Sequence, residues 1–234
     1  MTTEYPDVQG KALLDYYLGK EKVRLKLHTS YGPPEKMPVE VFFREKEDFS
    51  KLERMALREC RGKVLDIGAG AGSFALELQE QGLEVCAMEV SPLSCHIMQQ
   101  RRVGWVEEQD IWQYGGQRFD TLLLMMNGLG LAGTLDRLPT FMQKLKSLLL
   151  PGGQIICDSS DITYLYLGLL KPEGRYYGEI DYQYEYEGLQ GQKFSWLYVD
   201  EHTLTISLAP LGLKVEVLYK NRTDQYLARI TVNN

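Results

Sequence analysis

A glycine-rich turn follows a short apolar segment in the first third of the chain. Residues 64–67 read Val-Leu-Asp-Ile, the composition of a strand buried on both faces, and Gly68, Gly70 and Gly72 end it. Glycine adopts left-handed backbone conformations and lets a ligand approach the main chain. We expect Ser73 to cap the following helix, whose first N–H groups would then face the carboxyl end of the strand. Open α/β sheets bind ligands at this position, so the segment predicts a nucleotide-type pocket.

The glycine spacing and the carboxylate of Asp66 indicate which nucleotide this pocket takes. Dinucleotide-binding turns have the pattern G-x-G-x-x-G, whereas this turn reads G-x-G-x-G with Asp66 two residues ahead. An anion there disfavours a pyrophosphate and favours an ammonium or sulfonium group, both of which S-adenosylmethionine carries. The stretch over residues 66–72 resembles the first motif of the class I S-adenosylmethionine-dependent methyltransferases. The alternative is a tight strand-to-helix turn without a ligand.

The resemblance extends over about residues 63–158, and further acidic residues end the predicted strands. Glu89 ends the second strand, where a nucleotide fold accepts hydrogen bonds from both ribose hydroxyls. Its alternative is an exposed acid ahead of a helix. In the resembled family an acidic residue at the position of Asp110 receives the adenine amino group, and the alternative is an ordinary Asx turn. The predicted cofactor-binding residues are Asp66, Gly68, Ala69, Gly70, Gly72, Glu89, Val90, Asp110, Ile111, Asn127, Gly128 and Leu129.

Methyl transfer is an in-line displacement, so the protein mainly has to align donor and acceptor. A base would help an alcohol or thiol acceptor, and His28, Asp158 or a tyrosine of residues 176–199 could serve. The sequence names no catalytic residue. After the fourth strand it lacks both the Asn-Pro-Pro-aromatic motif of amide and adenine methylation and the Pro-Cys of cytosine methylation. We expect a small-molecule acceptor, with a nucleic acid or protein acceptor left open.

Two other functions compete with a methyltransferase. The first is a non-catalytic protein that keeps the S-adenosylmethionine pocket as a sensor or as a subunit of a complex. The second is a nicotinamide-dependent reductase, which the acidic residue beside the turn disfavours. Binding of labelled donor and transfer of its methyl group would separate these alternatives.

Composition limits the class of protein. The chain has 234 residues, 44% of them hydrophobic, and a formal net charge of −6, so no global basic field indicates nucleic acid. Its four cysteines lack C-x-x-C spacing, which predicts neither a metal site nor a disulfide framework and favours the cytoplasm. The N-terminus is polar, and no apolar run reaches about 18 residues, so we expect no membrane segment.

The elements that position the predicted site alternate between strand and helix. Apolar strands are predicted at residues 64–67, 83–89, 105–110, 119–126 and 154–158, with helices between them. A last helix over 204–211 precedes an antiparallel pair over 213–219 and 226–232. The predicted fold is α/β, a Rossmann-like doubly wound sheet that is mostly parallel with an antiparallel C-terminal strand. We expect one methyltransferase core over residues 61–234.

Residues 1–60 form an N-terminal extension with a predicted helix over 7–18 and a strand over 22–28. One face of that strand is basic, which could hold an acidic substrate or simply be solvated. Tyr31-Gly-Pro-Pro and Met37-Pro38 mark an ordered loop, and Ser50 to Glu53 is a capping box that starts another helix. The resemblance implies that this extension is a lid or substrate region.

An aromatic hairpin is predicted at about residues 176–199, after a helix over 163–170. One face of the first strand carries Ile180, Tyr182, Tyr184 and Tyr186. After a glycine-rich turn, aromatic residues again occupy every second position at Phe194, Trp196 and Tyr198. This face could bind a planar substrate, or it could pack against the sheet or against a partner chain in a homodimer. We expect the hairpin and the N-terminal extension together to form the outer wall of the acceptor pocket. The positions predicted to choose the acceptor are Arg24, Lys26, His28, Arg44, Tyr182, Tyr184 and Trp196.

Overall fold

The chain folds into two β-sheets, with helices packed on both faces of the larger one. The structure is a computed structural model that describes residues 5–168 and 170–233. The first four residues of the predicted extension and Leu169 of the predicted 163–170 helix therefore lie outside the described residues. The helices are α1 (Val8–Tyr17), α2 (Lys51–Glu59), α3 (Ser73–Glu80), α4 (Pro92–Gln100), α5 (Leu138–Ser147) and α6 (Glu201–Leu208). The strands are β1 (Leu25–Thr29), β2 (Glu35–Met37), β3 (Lys63–Ile67), β4 (Glu84–Glu89), β5 (Val106–Glu108), β6 (Phe119–Leu124), β7 (Leu149–Ser160), β8 (Glu179–Tyr186), β9 (Leu189–Gln190), β10 (Phe194–Leu197), β11 (Leu213–Lys220) and β12 (Gln225–Val232).

The larger sheet has seven strands in the order β11-β12-β7-β6-β3-β4-β5. Strands β3 to β7 are parallel to one another, and β12 is antiparallel to both β7 and β11. This arrangement confirms the predicted doubly wound α/β fold with an antiparallel C-terminal strand. The central parallel strands are mostly apolar because helices exclude water from both of their faces.

Helices cover the two faces of this sheet in separate groups. Apolar residues of α5 and α6, among them Phe141 and Leu204, form one buried cluster with the sheet. Residues of α2, α3 and α4, among them Leu52, Phe74 and Met98, form the cluster on the other face. The predicted capping box at the start of α2 is present, since the hydroxyl of Ser50 accepts from the backbone N–H of Glu53 at 3.2 Å. The chain thus forms the three layers of an α/β fold.

The smaller sheet, here called the cap sheet, consists of β10-β8-β1-β2 with β9 paired to β8, all antiparallel. It joins the N-terminal extension to the inserted hairpin, since Leu27 lies opposite Tyr184 and Tyr182 lies opposite Phe194. The hairpin prediction is confirmed, but the sequence did not indicate its pairing with the extension. Residues 35–37, predicted as part of a loop, form a strand because β1 offers them a free edge.

The cap sheet has two faces of different chemistry. Its inner face packs against the larger domain: Leu25 and Tyr186 share a buried cluster with Ala71 and Ile97. Paired residues of adjacent strands point to the same side of a sheet. The pairing therefore assigns the other residues of the strands to an inner or an outer face. The inner face carries Leu25, Leu27, Thr29, Glu35, Met37, Ile180, Tyr182, Tyr184, Tyr186, Phe194 and Trp196; the outer face carries Lys26, His28, Lys36, Gln183 and Glu185.

Some predicted boundaries differ from the structure. The helix predicted over 163–170 is only a 3₁₀ turn at Thr163–Tyr166, followed by a turn at residues 167–168. The strand predicted over 119–126 ends at Leu124, because Met126 and Asn127 adopt left-handed backbone conformations that a strand does not accommodate. In the part of the chain that the structure describes, no helix is long and apolar enough to cross a membrane.

Candidate active site

The glycine-rich turn lies between β3 and α3 at the carboxyl end of the larger sheet. Gly68, Gly70 and Gly72 have φ values of 75°, 57° and 85°, which explains why glycine occupies each of the three positions. The prediction that Ser73 caps α3 is wrong, because Gly72 is the N-cap and its left-handed conformation closes the turn. The hydroxyl of Ser73 instead donates to the carbonyl oxygen of Phe42 at 2.8 Å.

Glu89 ends β4 and connects this strand to the glycine-rich turn. One carboxylate oxygen accepts from the backbone N–H of Gly70 at 2.9 Å, and the other accepts from Val90 and Ser91 at 2.8 and 3.2 Å. Burial raises the pKa of Glu89, and these three donors oppose that effect. A carboxylate held by backbone donors has a defined position and retains lone pairs for hydroxyl groups of a ligand.

Asp66 lies behind the turn and is only 2% exposed. Burial and then the negative charge of Glu89 raise its pKa to about 7, while the backbone N–H of Ala75 lowers it less. Among the described residues, its Oδ2 has no hydrogen-bond partner. A buried carboxylate oxygen without a partner is costly, and a cationic group would satisfy it. The observation fits the ammonium group of S-adenosylmethionine and does not fit a pyrophosphate.

Asp110 and Ile111 follow β5 beside Glu89. The backbone N–H of Gln109 donates to the carbonyl oxygen of Glu89 at 3.1 Å, which places this loop next to the ribose-binding candidate. Asp110 Oδ1 accepts from the backbone N–H of Trp112 at 2.9 Å, as an Asx turn requires. One oxygen is therefore used locally, and within residues 5–168 and 170–233 the second has no side-chain or backbone donor. Ile111 is buried.

Asn127 follows β6 and joins the larger sheet to the cap sheet. Its side chain donates to the carbonyl oxygen of Leu197 at 3.0 Å and accepts from the hydroxyl of Ser159 at 2.8 Å. Its backbone N–H donates to Asp158 Oδ1 at 2.8 Å. The amide side chain is thus used within the protein, so Asn127 can offer a cofactor only its remaining backbone surface.

Asp158 lies at the end of β7 and is buried. Oδ1 accepts from Asn127, as described above, and Oδ2 accepts from the side-chain amide of Gln225 at 3.0 Å. Burial raises its pKa to about 6. With both oxygens hydrogen-bonded, Asp158 positions the loop after β6 and is a weak candidate for a general base. We call residues 66–72, 89–91, 110–111, 126–129 and 158 the strand-end site.

The cap sheet and its flanking turn lie directly against the strand-end site. Phe42, in the 3₁₀ turn Val39–Phe42, lies so close that a Cβ on Gly70 would approach its ring to 3.1 Å. A Cβ on Gly130 would overlap the indole of Trp196. These two glycines are therefore contact points between the larger domain and the cap sheet. The turn after β6 needs glycine for packing, which its sequence alone did not indicate.

The inner face of the cap sheet presents aromatic residues toward this site. The hydroxyls of Tyr182 and Tyr198 are 3.0 Å apart, and the ring of Phe194 packs against Tyr182 and Tyr184 at centroid distances of 5.9 and 5.7 Å. Burial is the main cause that raises the pKa of Tyr184, and the charge of Glu89 raises it further. The aromatic alternation predicted from the sequence is confirmed: Tyr184 and Tyr186 pack with Ala71 and Ile97 of the larger domain, whereas Tyr182, Phe194 and Trp196 form a cluster within the cap sheet. Binding of a planar substrate by this face stays a prediction.

The basic residues predicted to contact the acceptor lie elsewhere. Lys26 and His28 are on the outer face of the cap sheet, where each contacts Glu185 at 2.7 Å. Arg44 is bound bidentately by Glu53, at 3.1 and 2.6 Å, and supports the start of α2. Lys26 is exposed and His28 is half-exposed, which fits the solvated alternative for the basic strand face, and binding of an acidic substrate there stays a prediction. A groove of about 910 Å³ along that face is lined by no residue of the strand-end site.

Asp7 is a site-supporting residue that the sequence did not reveal. It caps α1 by accepting from Gly10 at 2.9 Å, and its other oxygen accepts from the hydroxyl of Ser91 at 2.6 Å. Ser91 in turn donates its backbone N–H to Glu89. The first helix is therefore connected to the ribose-binding candidate through one serine. The two partners are far apart in the chain, so no local pattern could predict their contact.

Metal binding finds no support in this arrangement. Across residues 5–168 and 170–233, no group of three His, Cys, Asp or Glu side chains could hold a metal ion. The four cysteines Cys60, Cys86, Cys95 and Cys157 are buried free thiols.

Comparison with known proteins identifies the family. A family profile described as a methyltransferase domain matches residues 42–216. No curated protein matches the sequence significantly. The sequence is 40% identical to that of a SAM-dependent methyltransferase from Bacteroides fragilis, whose crystal structure was determined in complex with S-adenosyl-L-homocysteine. The alignment covers 97% of this chain and 95% of that chain, and the TM-score of the two structures is 0.90.

More distant structures share the fold. The CcbJ methyltransferase of Streptomyces caelestis is 16% identical over 78% of this chain and 88% of that chain, with a TM-score of 0.61. The sugar N-methyltransferase KedS8 of a Streptoalloteichus species is 15% identical over 87% of this chain and 96% of that chain, with a TM-score of 0.56. The profile match and the Bacteroides relative, together with the glycine-rich turn and strand-end acids, show that the chain belongs to the class I S-adenosylmethionine-dependent methyltransferases.

Proposed function

We propose that the strand-end site binds S-adenosylmethionine and that the enzyme transfers the methyl group to a small molecule held beneath the cap sheet. The observation that carries this proposal is Asp66, a buried carboxylate with one oxygen unpartnered among the described residues, directly behind a glycine-rich turn. No pyrophosphate could be placed there without electrostatic repulsion, whereas a cationic amino acid moiety would be stabilised.

Each predicted cofactor residue has a role in this proposal. Asp66 holds the ammonium group, and the turn of residues 68–72 provides close backbone approach. Glu89 accepts from the ribose hydroxyls, and Val90, Asp110 and Ile111 surround the adenine. Asn127, Gly128 and Leu129 line the methyl donor with backbone atoms, because the Asn127 side chain is used by Leu197 and Ser159.

The chain's own residues position the two substrates and exclude water. The bound cofactor supplies the activated methyl group. The protein aligns the acceptor with that group, and such alignment can lower the barrier by about 7 to 11 kcal/mol. Residues 5–60 and the hairpin contribute the cap sheet, which supports their proposed role as the lid and acceptor-binding region. The core of residues 61–234 supplies the cofactor site.

Donor binding tests this proposal most directly. S-adenosylmethionine and S-adenosylhomocysteine should raise the melting temperature, whereas NAD and NADP should not. A ligand at 100 times its dissociation constant stabilises by about 2.7 kcal/mol, a readily measured shift. Stabilisation by NAD alone would contradict the assignment.

Variants of the two carboxylates locate the site. Asp66→Ala and Glu89→Ala should each lose about 1.5 to 3 kcal/mol of donor binding, because each removes a charge-assisted partner. The matched control is Glu84→Gln, an exposed acid at the opposite end of β4. Normal donor binding by both folded variants would place the pocket elsewhere.

A non-catalytic sensor is the remaining alternative. Incubation with methyl-labelled donor and a soluble metabolite extract distinguishes it, since an enzyme transfers the label and a sensor only binds it. The same experiment tests the proposed preference for a small molecule over nucleic acid or protein. We also propose a cytoplasmic location, supported by the four free thiols.

A further inference from the structure

The acceptor must lie where the inner face of the cap sheet approaches the strand-end site. This placement of the acceptor rests on the proposed function, because the methyl group can react only with a group held next to it. Two charged or polar surfaces therefore determine the acceptor's chemistry. They are the inner face of the cap sheet and the carboxylates at the ends of β4 and β7.

Neutral phenols dominate this region. Tyr182 and Tyr198 share a hydroxyl contact of 3.0 Å, and the hydroxyl of Tyr31 donates to Glu35 at 2.8 Å. Tyr184 lies next to Tyr182 across the ring of Phe194. Tyr182, Tyr184 and Tyr198 therefore form one group of hydroxyls and aromatic faces. Tyr31 and Glu35 lie at its edge: burial is the main cause that raises the pKa of Tyr182 and of Tyr198, and Tyr31 and Glu35, respectively, are close enough to raise it further.

The charges around these phenols are negative. On the strands of the cap sheet, Glu35 is the only charged residue of the inner face, because Lys26, His28 and Lys36 all lie on the outer face. Burial raises the pKa of the Tyr31 phenol, and the hydrogen bond with Glu35 and the charge of Glu35 raise it further. For Tyr198, burial is again the main cause that raises the pKa, and Glu35 and Asp158 add to it.

This environment discriminates between classes of acceptor. A carboxylate or phosphonate acceptor would face Glu35 and Asp158 without a basic residue of the cap strands to offset the repulsion. An alcohol would need a base, but the phenols are protonated and both oxygens of Asp158 are hydrogen-bonded. An ammonium group gains from aromatic faces, from phenol oxygens that accept its N–H groups and from the carboxylates.

We propose that the methyl acceptor is a primary or secondary amine, bound as its ammonium ion between the phenols of Tyr182, Tyr184 and Tyr198 and the carboxylate of Glu35. Tyr31 positions Glu35 through their hydrogen bond. The aromatic group provides the specificity for a cation, and the strand-end site provides the donor.

The reaction balances without a further reagent. The bound ammonium first releases a proton to solvent, leaving a neutral nitrogen with a lone pair. That lone pair forms a bond to the donor methyl carbon while the electron pair of the carbon–sulfur bond moves to sulfur. The products are a methylated ammonium ion, S-adenosylhomocysteine and the released proton.

Separation of the labelled product by charge tests the proposal. The intact protein is incubated with methyl-labelled S-adenosylmethionine and a soluble metabolite extract, and the products are passed over cation and anion exchangers. Because the labelled donor is itself a cation, it is first resolved from the products by chromatography, and a sample without protein gives the background. We expect the protein-dependent label in a product retained by the cation exchanger. Label confined to the neutral or anionic fractions, or absent from the cationic fraction, overturns the proposal.

Variants connect that product to the tyrosine group. Tyr182→Phe and Glu35→Gln should each lower the rate of label transfer at subsaturating extract by about tenfold, with donor affinity unchanged. The matched controls are Tyr219→Phe on β11 and Lys36→Gln on the outer face, which should keep the wild-type rate. Equal rates in Tyr182→Phe, Glu35→Gln and the wild type would overturn the assignment of this group.

Donor binding measured in the same samples shows whether the proposed cofactor site or the proposed amine acceptor is wrong. If S-adenosylhomocysteine fails to bind the wild type, the proposed cofactor site is wrong. If it binds normally and the labelled product is anionic or neutral, only the amine inference is wrong and the methyltransferase function remains.

Discussion

The two sheets of this enzyme bind their proposed ligands by different means. In the proposed donor site, the strand-end site of the larger sheet, the ligand would meet backbone groups and two carboxylates, and hydrogen bonds of Glu89 with Gly70, Val90 and Ser91 connect the ends of two neighbouring strands. The cap sheet offers side chains, and its residues come from segments about 150 positions apart that pair as β1 and β8. The comparison shows why the donor can be inferred from a short motif, whereas the acceptor depends on long-range pairing.

The two sheets also differ in charge placement. The larger sheet buries Asp66 near its centre, and one oxygen of this carboxylate has no partner in the described part of the chain, which is costly. The cap sheet places its basic residues on the outer face, with Lys26 and His28 bound to Glu185, and keeps its inner face free of basic side chains. The charges on both sides of the site thus favour cationic ligands.

Paired core substitutions test whether the two sheets unfold as one unit, and they carry the largest expected effect. Leu122→Ala in the larger sheet and Leu25→Ala in the cap sheet each remove a fully buried side chain. Each should lower the free energy of unfolding by about 2 to 5 kcal/mol. Urea unfolding followed by circular dichroism and tyrosine fluorescence gives the measurement.

The control for this pair is Leu18→Ala, since Leu18 is 73% exposed and should change stability little. A second unfolding transition in Leu25→Ala, absent from Leu122→Ala, would show that the cap sheet folds separately from the larger domain.

A substitution at the contact between the sheets has the next largest effect. Gly130→Ala places a Cβ into the indole of Trp196 and should destabilise the protein by about 1 to 3 kcal/mol. It should also slow methyl transfer more than it weakens donor binding, because the cap sheet shifts while the glycine-rich turn remains. Thermal unfolding and labelled-donor assays measure both.

Gly115→Ala is the matched control, because a Cβ there meets no atom within 4 Å. Unchanged stability and turnover in Gly130→Ala would show that Trp196 does not couple the two sheets.

The pH dependence of donor affinity tests the role of Asp66. Its pKa is raised to about 7, so the carboxyl is increasingly protonated below that pH and no longer attracts an ammonium group. Affinity for S-adenosylhomocysteine should therefore fall by up to about tenfold per pH unit below pH 7. Isothermal titration of the wild type and Asp66→Asn isolates this contribution, which the variant should lack.

The raised pKa of Asp66 also affects the stability of the ligand-free protein, which should fall as pH rises, whereas donor affinity should fall as pH decreases. Between its ordinary pKa and about 7, the native state binds a proton that the unfolded state has released. The contribution of Asp66 to stability therefore decreases as pH rises through this window, by at most about 1.4 kcal/mol per unit. Asp66→Asn should gain stability at neutral pH relative to the wild type. A parallel pH profile in both proteins would contradict the assigned pKa.

The outer face should show the smallest effect. Lys26→Gln and His28→Gln remove exposed or half-exposed partners of Glu185, and such surface pairs contribute about 0 to 1 kcal/mol. We expect wild-type turnover and donor affinity in both. Loss of turnover with normal stability would show that the basic outer face takes part in catalysis. The inner face would then not be the sole acceptor-binding face of the cap sheet.

The sequence by itself determined the larger sheet and brought forward the residues of the proposed donor site. Apolar strands of the right length, the three glycines of residues 68–72 and the capping box at Ser50 are local patterns with local physical causes. Asp66 and Glu89 could be selected because the carboxyl ends of neighbouring parallel strands meet at one edge. Helix ends were less well predicted, as the left-handed Gly72 replaced Ser73 as the cap.

Only the tertiary structure decided how the additions are used. The pairing of Leu27 with Tyr184 assigned the aromatic side chains to the inner face and the basic ones to the outer face, and a shift of one residue would reverse that choice. Asn127 and Asp7 likewise gained their partners from distant segments. Such contacts depend on which strands and helices become neighbours, and local sequence patterns do not encode that choice.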